Sequence, residues 1–399
     1  MSEPVDFRTT TEHGPMQFVG NEPEFWSDPH PTLRTAREHH PLAWLQAFSA
    51  WLVLRYADVE ALLSDRRLAS DYGVLADGPL GRVFSGFLAN QQGATHARLR
   101  RLVITAFTPR HIEEARPAIR GIARDLLRSL PRGEVVDFQR TVADELTVHV
   151  ICRILGIPES DIPRFSAWTT QLTTGSASPI PSDEAQHAAV QLYEYVDALA
   201  ARRQHAPGDS LLDALIAAEA DGQRLTADEL ANVVMSLLVG GHDSVRSFLT
   251  IATWVVLRHP DVFERLRTDA SCVGDVVEEV LRFESPLMGV PRVATEALRI
   301  GGVEIAAGSC LLLQIISANR DPRRFADPDR FDPSRDASPQ LAFGRGMHFC
   351  VGAALARIEA QELLLELAST NPPLTLAGTP RWMPFSPSRR FEALAVRVQ

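Results

Sequence analysis

The feature that most constrains the fold is a long, largely apolar segment in the second half of the chain. It opens with Thr226-Ala227-Asp228-Glu229, a capping box that marks the first turn of a helix. Pro260 ends the pattern, because a proline inside a helix removes a backbone hydrogen bond and clashes with the preceding turn. At about 1.5 Å per residue the helix would be about 50 Å long, so we expect it to cross the molecule as a core element.

Helical periodicity also dominates most of the remaining chain, which predicts a mainly α protein with a small β part. Apolar residues recur near every 3.6 positions in residues 98–107, 112–130, 137–155, 183–204, 210–220 and 261–283. Apolar and alternating segments predict a hairpin and three strand regions, over residues 42–45 with 50–54, 298–305, 309–317 and 392–398. Because no repeat, low-complexity run or charge block divides the sequence, we expect one domain spanning residues 1–399.

Composition excludes several classes of chemistry. All forty basic residues are arginine, which excludes lysine Schiff-base chemistry, pyridoxal phosphate and the lysine of a phosphate loop. The net charge of -10 argues against a general nucleic-acid binder. Four irregularly spaced cysteines favour a reducing compartment over a disulfide framework. The N-terminal residues 1–8 have no signal-peptide pattern and no run near the ~20 apolar residues of a membrane span, so we expect a cytoplasmic protein without a membrane anchor.

One cysteine has a setting typical of a metal ligand. Cys350 lies in Phe343-Gly344-Arg345-Gly346-Met347-His348-Phe349-Cys350-Val351-Gly352, before an amphipathic helix predicted to begin near Val351. Helix-terminal N–H groups lower the pKa of a cysteine, so we expect this sulfur to be a thiolate. With this composition, Phe-x-x-Gly-x-His-x-Cys-x-Gly should occur by chance in roughly one sequence of this length in 50,000.

Two simpler interpretations of Cys350 stay open, a zinc site and a plain buried cysteine. Zinc would need further Cys or His ligands at short spacing, yet beyond His348 the nearest candidate is Cys310, forty residues upstream. A plain buried cysteine would leave the flanking glycines and the histidine unexplained. Cys152, Cys272 and Cys310 do fit that description, since each sits in an apolar stretch.

The motif resembles the haem-ligand loop of the cytochrome P450 family, and all five defining positions match. The resemblance implies that the cofactor is haem b (iron protoporphyrin IX) and that Cys350 is the axial ligand of its iron. It also implies that Phe343 packs against the ligand and that His348 reaches a haem propionate. Gly346 and Gly352 would let the backbone approach the porphyrin. An axial thiolate favours O–O cleavage at haem iron.

Glycines and polar residues interrupt the long apolar helix at Gly240-Gly241-His242-Asp243-Ser244. Two glycines lower the stability of a helix by about 2 kcal/mol relative to alanine. We therefore expect them either to allow close helix packing or to make room for a ligand. The segment resembles the oxygen-activation motif of the family, which implies that Gly240 and Gly241 make room for a ligand and that Asp243 and Ser244 relay protons. The family commonly has threonine where this chain has Ser244, which keeps the hydroxyl but lacks the β-methyl group that restricts its rotamer.

A Glu-x-x-Arg pair, Glu279 and Arg282, lies about seventy residues before the cysteine. Acid–arginine pairs at this spacing are common on solvated helix faces, so the spacing alone does not indicate a special structural role for Glu279 and Arg282. The position matches the structural Glu-x-x-Arg of the family, and Arg335 matches the third member of that cluster. The resemblance implies that these three residues hold the region that carries the haem loop.

Three cationic side chains match the propionate-binding positions of the family. His96 and Arg100 lie at i, i+4 on one predicted helix face, and Arg292 follows Val290-Pro291 in a predicted strand. Ordinary surface basicity would also explain them. The resemblance implies that they bind the two haem carboxylates, which require charge-assisted partners when buried.

The resemblance covers the chain from about residue 40 and implies a soluble, bacterial-type haem-thiolate monooxygenase. It would insert one atom of O₂ into a C–H or C=C bond of a medium-sized, largely apolar small molecule in bacterial natural-product metabolism. Electrons would come from a ferredoxin and an NAD(P)H-dependent ferredoxin reductase, and we expect a monomer. Ser244 leaves open oxidative coupling or peroxide-driven oxidation, and a haem-based sensor is the alternative of another class. The substrate pocket would be lined by residues 72–88, 168–180, 237–240 and 287–290 and by Phe385 and Ser386.

Overall fold

The structure is a computed structural model that describes residues 16–18, 23–70, 78–175, 182–384 and 388–399. These residues form two compact units. The first unit contains the described residues of Met1–Asp71, Glu278–Phe349 and Arg381–Arg389, and the second those of Tyr72–Val277, Cys350–Pro380 and Arg390–Gln399. The expected single domain over residues 1–399 stays a prediction. Residues 1–8, parts of the expected substrate pocket (residues 72–77 and 176–180), Phe385 and Ser386 lie outside the described residues.

Helices make up most of the described chain, and the strands are short. The helices are α1 (Pro23–Ser27), α2 (His30–His39), α3 (Tyr56–Leu63), α4 (Pro79–Gly86), α5 (Gly93–Ala106), α6 (Pro109–Arg128), α7 (Asp144–Leu155), α8 (Ile162–Gly175), α9 (Asp183–His205), α10 (Leu211–Ala217), α11 (Ala227–Leu257), α12 (Pro260–Thr268), α13 (Val273–Phe283), α14 (Ile315–Ala318) and α15 (Ala353–Ser369). The strands are β1 (Met16–Phe18), β2 (Leu42–Leu45), β3 (Ala50–Val53), β4 (Leu68–Ser70), β5 (Val135–Asp137), β6 (Val290–Ala294), β7 (Leu298–Ile300), β8 (Val303–Ile305), β9 (Cys310–Leu313), β10 (Leu374–Leu376) and β11 (Ala395–Val398). The predicted class, mainly α with a small β part, is confirmed.

A mixed six-stranded sheet organises the first unit, with strand order β1-β2-β3-β9-β6-β4. The predicted hairpin is present as β2 and β3, which pair antiparallel with Leu42 opposite Val53. Strand β9 pairs parallel with β3 and antiparallel with β6. Buried side chains of α3, including Val59 and Leu63, join Leu311 and Leu313 of β9 in one apolar core. This core supports β6, which carries one of the predicted cofactor-binding residues.

The second unit is built around α11, which is the long helix predicted from the capping box. Thr226 and Glu229 form that box through reciprocal side-chain to backbone hydrogen bonds. The helix ends at Leu257, and Pro260 begins α12. Helices α4, α7, α8, α9 and α15 contact α11. A membrane span requires more length and apolarity than any described helix has.

Two predicted elements are wrong. Residues 261–283 form two helices rather than one, because the side chain of Asp269 accepts the Ser271 N–H and starts a short 3₁₀ turn. Residues 309–317 are not one strand, since β9 ends at Leu313 and the chain turns into α14. A short continuous apolar run does not distinguish a buried strand from a buried helix, so the sequence pattern was ambiguous there.

Candidate functional site

Cys350 lies just before α15 in the second unit, where its carbonyl accepts the Ala353 N–H at 3.4 Å. Residue Cys350 as a whole is exposed, but its thiol group is surrounded by protein atoms. This burial raises the pKa of the Cys350 thiol, while hydrogen bonds from the Gly352 and Ala353 N–H groups and the charges of Arg100 and Arg357 lower it. The predicted net lowering of this pKa is therefore wrong for the protein alone, because burial outweighs the helix terminus. A bound metal cation would supply the charge that converts such a thiol to thiolate.

The donor set around Cys350 fits haem iron. All four cysteines belong to the described residues, and none is in a disulfide. Cys152 and Cys272 are buried as predicted, whereas Cys310 is only partly buried. Within the described ranges, no three His, Cys, Asp or Glu side chains come together as metal ligands. A single sulfur near two arginines matches one axial ligand of a haem rather than the three or four protein ligands of a zinc site.

The loop that precedes the cysteine belongs to the first unit and has a glycine-dependent shape. Gly346 has φ +68°, in the left-handed region, and a Cβ there would lie 2.6 Å from Ser64 Oγ. Any other residue would therefore be strained and would clash. Gly346 begins a short 3₁₀ turn that ends at His348. The rings of Phe343 and Phe349 pack edge to face with centroids 6.5 Å apart.

Gly352 differs from Gly346 in its conformation. It has φ -80°, and a Cβ would make an ordinary contact of 3.9 Å with Cys350 Sγ. The backbone at Gly352 therefore does not itself require glycine. Its N–H group hydrogen-bonds the Cys350 sulfur and lowers the pKa of that thiol. Any residue except proline would provide the same N–H group.

The predicted propionate-binding residues are largely buried. His96 and Arg100 lie one turn apart on α5, and burial together with the charge of Arg100 lowers the pKa of His96. The pKa of Arg100 is lowered by burial and raised by Cys350, so the structure brings these two predicted site residues together. In the first unit, Arg292 is buried on β6 and donates to Ser70 Oγ at 3.4 Å. Burial of His96 and Arg292 argues against ordinary surface basicity.

The predicted oxygen-activation segment lies within α11 without breaking it. A Cβ on Gly240 would have no atom of the described residues within 4 Å, so this position opens as predicted. A Cβ on Gly241 would make an ordinary contact of 3.9 Å with Ile151 of α7, so helix packing there does not itself require glycine. The Ser244 hydroxyl donates to the Gly240 carbonyl at 2.7 Å. Gly240 and Ser244 therefore share one face, one helical turn apart.

Asp243 is held by charged residues that sequence reasoning missed. Arg390 Nη1 lies 2.7 Å from Asp243 Oδ1, and Arg246 donates to the same oxygen. Arg246 Nη1 also lies 3.1 Å from Asp144 Oδ1 on α7. His242 Nε2 lies 3.8 Å from that oxygen of Asp144. The i, i+3 spacing of Asp243 and Arg246 could have indicated their ion pair. Asp144 and Arg390 are far from Asp243 in the sequence, so no local pattern indicates that they lie near it.

The predicted structural cluster is a buried ion network in the first unit. Arg282 Nε and Nη2 donate to the two carboxylate oxygens of Glu279, each at 2.7 Å, and both side chains are 0% exposed. Arg335 Nε and the Asp332 N–H bind Glu279 Oε1 at 3.3 and 2.8 Å. The other Arg282 hydrogen bonds go to three carbonyls, those of Asn319, Pro328 and Arg330. Full burial excludes a solvated helix face for this pair.

We expect His242 to make the protein less stable in acid. Burial, reinforced by the charges of Arg246 and Arg390, lowers the pKa of His242 from 6.5 to about 4. Because the folded state binds fewer protons than the unfolded state between these values, stability is lost as pH falls through that range. The loss is about 3 kcal/mol, and His242→Gln should remove most of it. Urea unfolding at pH 7.5 and 4.5 measures the difference.

Exposed His187 on α9 provides the matched control for that experiment. His187→Gln should keep the acid sensitivity of the unmodified protein, since an exposed histidine is solvated in both states. The same pH dependence in His242→Gln as in the unmodified protein would show that His242 is not responsible.

Comparisons with known proteins agree with this geometry. Residues 182–368 match the family model described as cytochrome P450. Cytochrome P450 107B1 of Saccharopolyspora erythraea is 40% identical, with 88% of this chain and 90% of that protein covered. The 6-deoxyerythronolide B hydroxylase of the same organism is 36% identical, with 88% and 90% covered. The solved structure of the Bacillus subtilis bacillaene polyketide synthase cytochrome P450 PksS has a TM-score of 0.88 at 31% identity, covering 96% of this chain and 100% of that chain.

Both relatives match over most of their length and of this chain, and one is named as a cytochrome P450 and the other as a hydroxylase. The sequence motifs, the enclosed cysteine and the buried Glu-x-x-Arg network are consistent with them. This chain belongs to the cytochrome P450 family and is a monooxygenase, an oxidoreductase of the haem-thiolate type.

Proposed function

We propose that this protein binds haem b through Cys350 and oxidises a natural-product intermediate. The observation that carries the proposal is the Cys350 sulfur, which accepts hydrogen bonds from the Gly352 and Ala353 N–H groups and lies near the charges of Arg100 and Arg357. These contacts oppose the rise in the thiol pKa that burial causes, and the iron of a bound haem would supply the remaining charge that favours the thiolate. When bound, haem supplies O₂ activation, which an axial thiolate favours. The protein then has to hold the haem, deliver protons and orient the substrate.

We assign His96, Arg100, Arg292 and His348 to the two haem propionates. The chemistry of these side chains supports the assignment, because a buried carboxylate needs cationic or N–H donors. The four residues are such donors and stand at the positions that match the family. Gly346 is proposed to allow close approach of the backbone to the haem, and its left-handed conformation beside Ser64 accepts only glycine. Phe343, in edge-to-face contact with Phe349, would pack beside the ligand.

Asp243 and Ser244 are proposed to deliver protons beside the open position at Gly240. The Ser244 hydroxyl donates to the Gly240 carbonyl, so it must rotate to give its proton to a partner on the open face. Serine lacks the β-methyl group of threonine, so this rotation is less restricted than in a typical relative. The Asp243 carboxylate would take up protons one residue earlier on the same helix.

We expect Ser244→Ala to raise the fraction of electrons lost as peroxide, because the helix face beside Gly240 loses its hydroxyl. Ser244→Thr should keep or improve the coupling of electron use to product. The measurement is peroxide formed against product made, at equal electron supply. Unchanged coupling in Ser244→Ala would mean that the hydroxyl is dispensable, which would favour oxidative coupling or peroxide-driven oxidation over oxygen insertion.

The substrate, the electron donors and the cellular location of the protein are also part of the proposal. We propose a medium-sized, largely apolar substrate, supported by the similarity to the 6-deoxyerythronolide B hydroxylase and to the bacillaene polyketide synthase cytochrome P450 PksS. Electrons are proposed to come from a ferredoxin and an NAD(P)H-dependent ferredoxin reductase. The protein is proposed to act as a monomer in the cytoplasm, and its few, irregularly spaced cysteines support a reducing compartment. Screening a compound library for a Soret shift on binding tests the substrate class.

A further inference from the structure

In the second unit, Arg246 lies between two carboxylates that belong to different helices. Its Nη1 is 3.1 Å from Asp144 Oδ1 on α7, and its Nη2 hydrogen-bonds Asp243 Oδ1 on α11. Arg390 contacts the same Asp243 oxygen at 2.7 Å. The Asp144 side chain is 25% exposed, whereas that of Arg246 is only 11% exposed. The two carboxylates therefore share one largely buried guanidinium, and the Asp243 side chain, at 19% exposed, is slightly less accessible than that of Asp144.

The charges around Asp144 come from several elements. From α11 it faces Arg246, Asp243 and neutral His242, and Asp137 at the end of β5 adds a further negative charge. Burial raises the pKa of Asp144 to about 6, with Arg246 opposing the rise and the two other aspartates adding to it. Asp144 therefore changes its charge within the range in which an enzyme of this kind operates.

We propose that Asp144 is a positioning residue for the proton relay, because it shares Arg246 with Asp243 and so limits how tightly Arg246 holds the Asp243 carboxylate. The inference rests on the proposed function of Asp243 as a relay residue. Asp144 acts only through Arg246.

The consequence is a defined pH dependence. Above pH 6, Asp144 is ionised and Arg246 divides its charge between two carboxylates. As pH falls through about 6, Asp144 takes up a proton and Arg246 is left to pair with Asp243 alone. A more tightly held Asp243 exchanges protons more slowly, so a larger share of electrons leaves as peroxide instead of water.

The first test uses the haem-loaded enzyme with a surrogate ferredoxin and reductase and no added substrate. Peroxide formed per NAD(P)H oxidised is measured from pH 5 to pH 8. We expect this fraction to rise as pH falls through about 6 in the unmodified enzyme. In Asp144→Asn it should be high at every pH, on the order of fivefold above the unmodified enzyme at pH 7.5, a usual size for coupling between sites. Asp144→Glu should restore the pH dependence.

Glu145→Gln is the matched control, because Glu145 is the next residue on α7 and its exposed carboxylate faces His149 instead of Arg246. It should leave the peroxide fraction and its pH profile unchanged. A wild-type profile in Asp144→Asn would overturn the proposal, provided that Asp243→Asn raises the peroxide fraction. If Asp243→Asn leaves that fraction unchanged, the relay role of Asp243 itself is wrong, and the two failures are distinguished.

A second readout does not depend on turnover. Carboxyl ¹³C NMR of aspartate-labelled, haem-loaded protein in the reduced carbon monoxide form reports each aspartate directly. The signal lost in Asp144→Asn identifies Asp144, which should titrate near pH 6 in the unmodified protein and at higher pH in Arg246→Gln. The Asp243 signal should shift in Asp144→Asn and stay in place in Glu145→Gln. An Asp243 signal that ignores Asp144→Asn would contradict the sharing of Arg246.

Discussion

Cys350→Ser is expected to abolish monooxygenase turnover while the protein still folds. Serine offers a harder, less polarisable oxygen in place of the thiolate, and only the thiolate provides the electron density that favours O–O cleavage. The positive charges of Arg100 and Arg357 remain in the variant, so the change removes the sulfur ligand without altering the charges near it. Steady-state product formation, measured at equal bound haem, tests this expectation.

Cys272→Ser is the matched control for that loss. Cys272 is a buried cysteine whose Sγ donates to the Asp269 carbonyl at 3.1 Å, a hydrogen bond that a serine hydroxyl also makes. We therefore expect this variant to retain activity. Turnover by Cys350→Ser comparable to that of the control would show that another residue carries the iron.

Glu279→Gln should cause the largest loss of stability. The change leaves Arg282 fully buried without its carboxylate, and breaking a buried ion pair in this way costs about 3–5 kcal/mol. Arg335 and the Asp332 N–H would also lose their charged acceptor. Urea unfolding at pH 7 measures the free energy of unfolding, and haem content after purification reports whether the loop region is still held.

The chain offers a control with the same spacing in a different environment. Glu264 and Arg267 on α12 are also an i, i+3 pair, but their side chains are 63% and 48% exposed. An exposed pair contributes between 0 and about 1 kcal/mol, so Glu264→Gln should have little effect. Equal losses in Glu264→Gln and Glu279→Gln would contradict the structural role of the buried network.

That contrast also shows what sequence reasoning can and cannot provide. Spacing does not separate Glu279 and Arg282 from Glu264 and Arg267, because burial depends on elements far away in the chain. The match to the position of the family motif selected the correct pair. In contrast, the long helix α11 was predictable from local features, since its capping box and its terminal proline act within a few residues.

The charged surroundings of Asp243 lay beyond sequence reasoning for the same reason. Asp144 and Arg390 meet the α11 residues only through tertiary packing, and nothing in their local sequence marks them. The motif predicts the helix-terminal position of Cys350 but not the net direction in which its pKa shifts. Local hydrogen bonds were visible in the motif, whereas the burial that outweighs them depends on the whole unit.

The reduced carbon monoxide spectrum of the purified protein is a direct test of whether Cys350 is the axial ligand of haem iron. Thiolate ligation by Cys350 predicts a red protein whose reduced carbon monoxide complex has a strongly red-shifted Soret band, and Cys350→Ser should lose that band. A protein that carries zinc and no haem, or a red-shifted band that persists in Cys350→Ser, would contradict the assignment of Cys350 as the axial ligand.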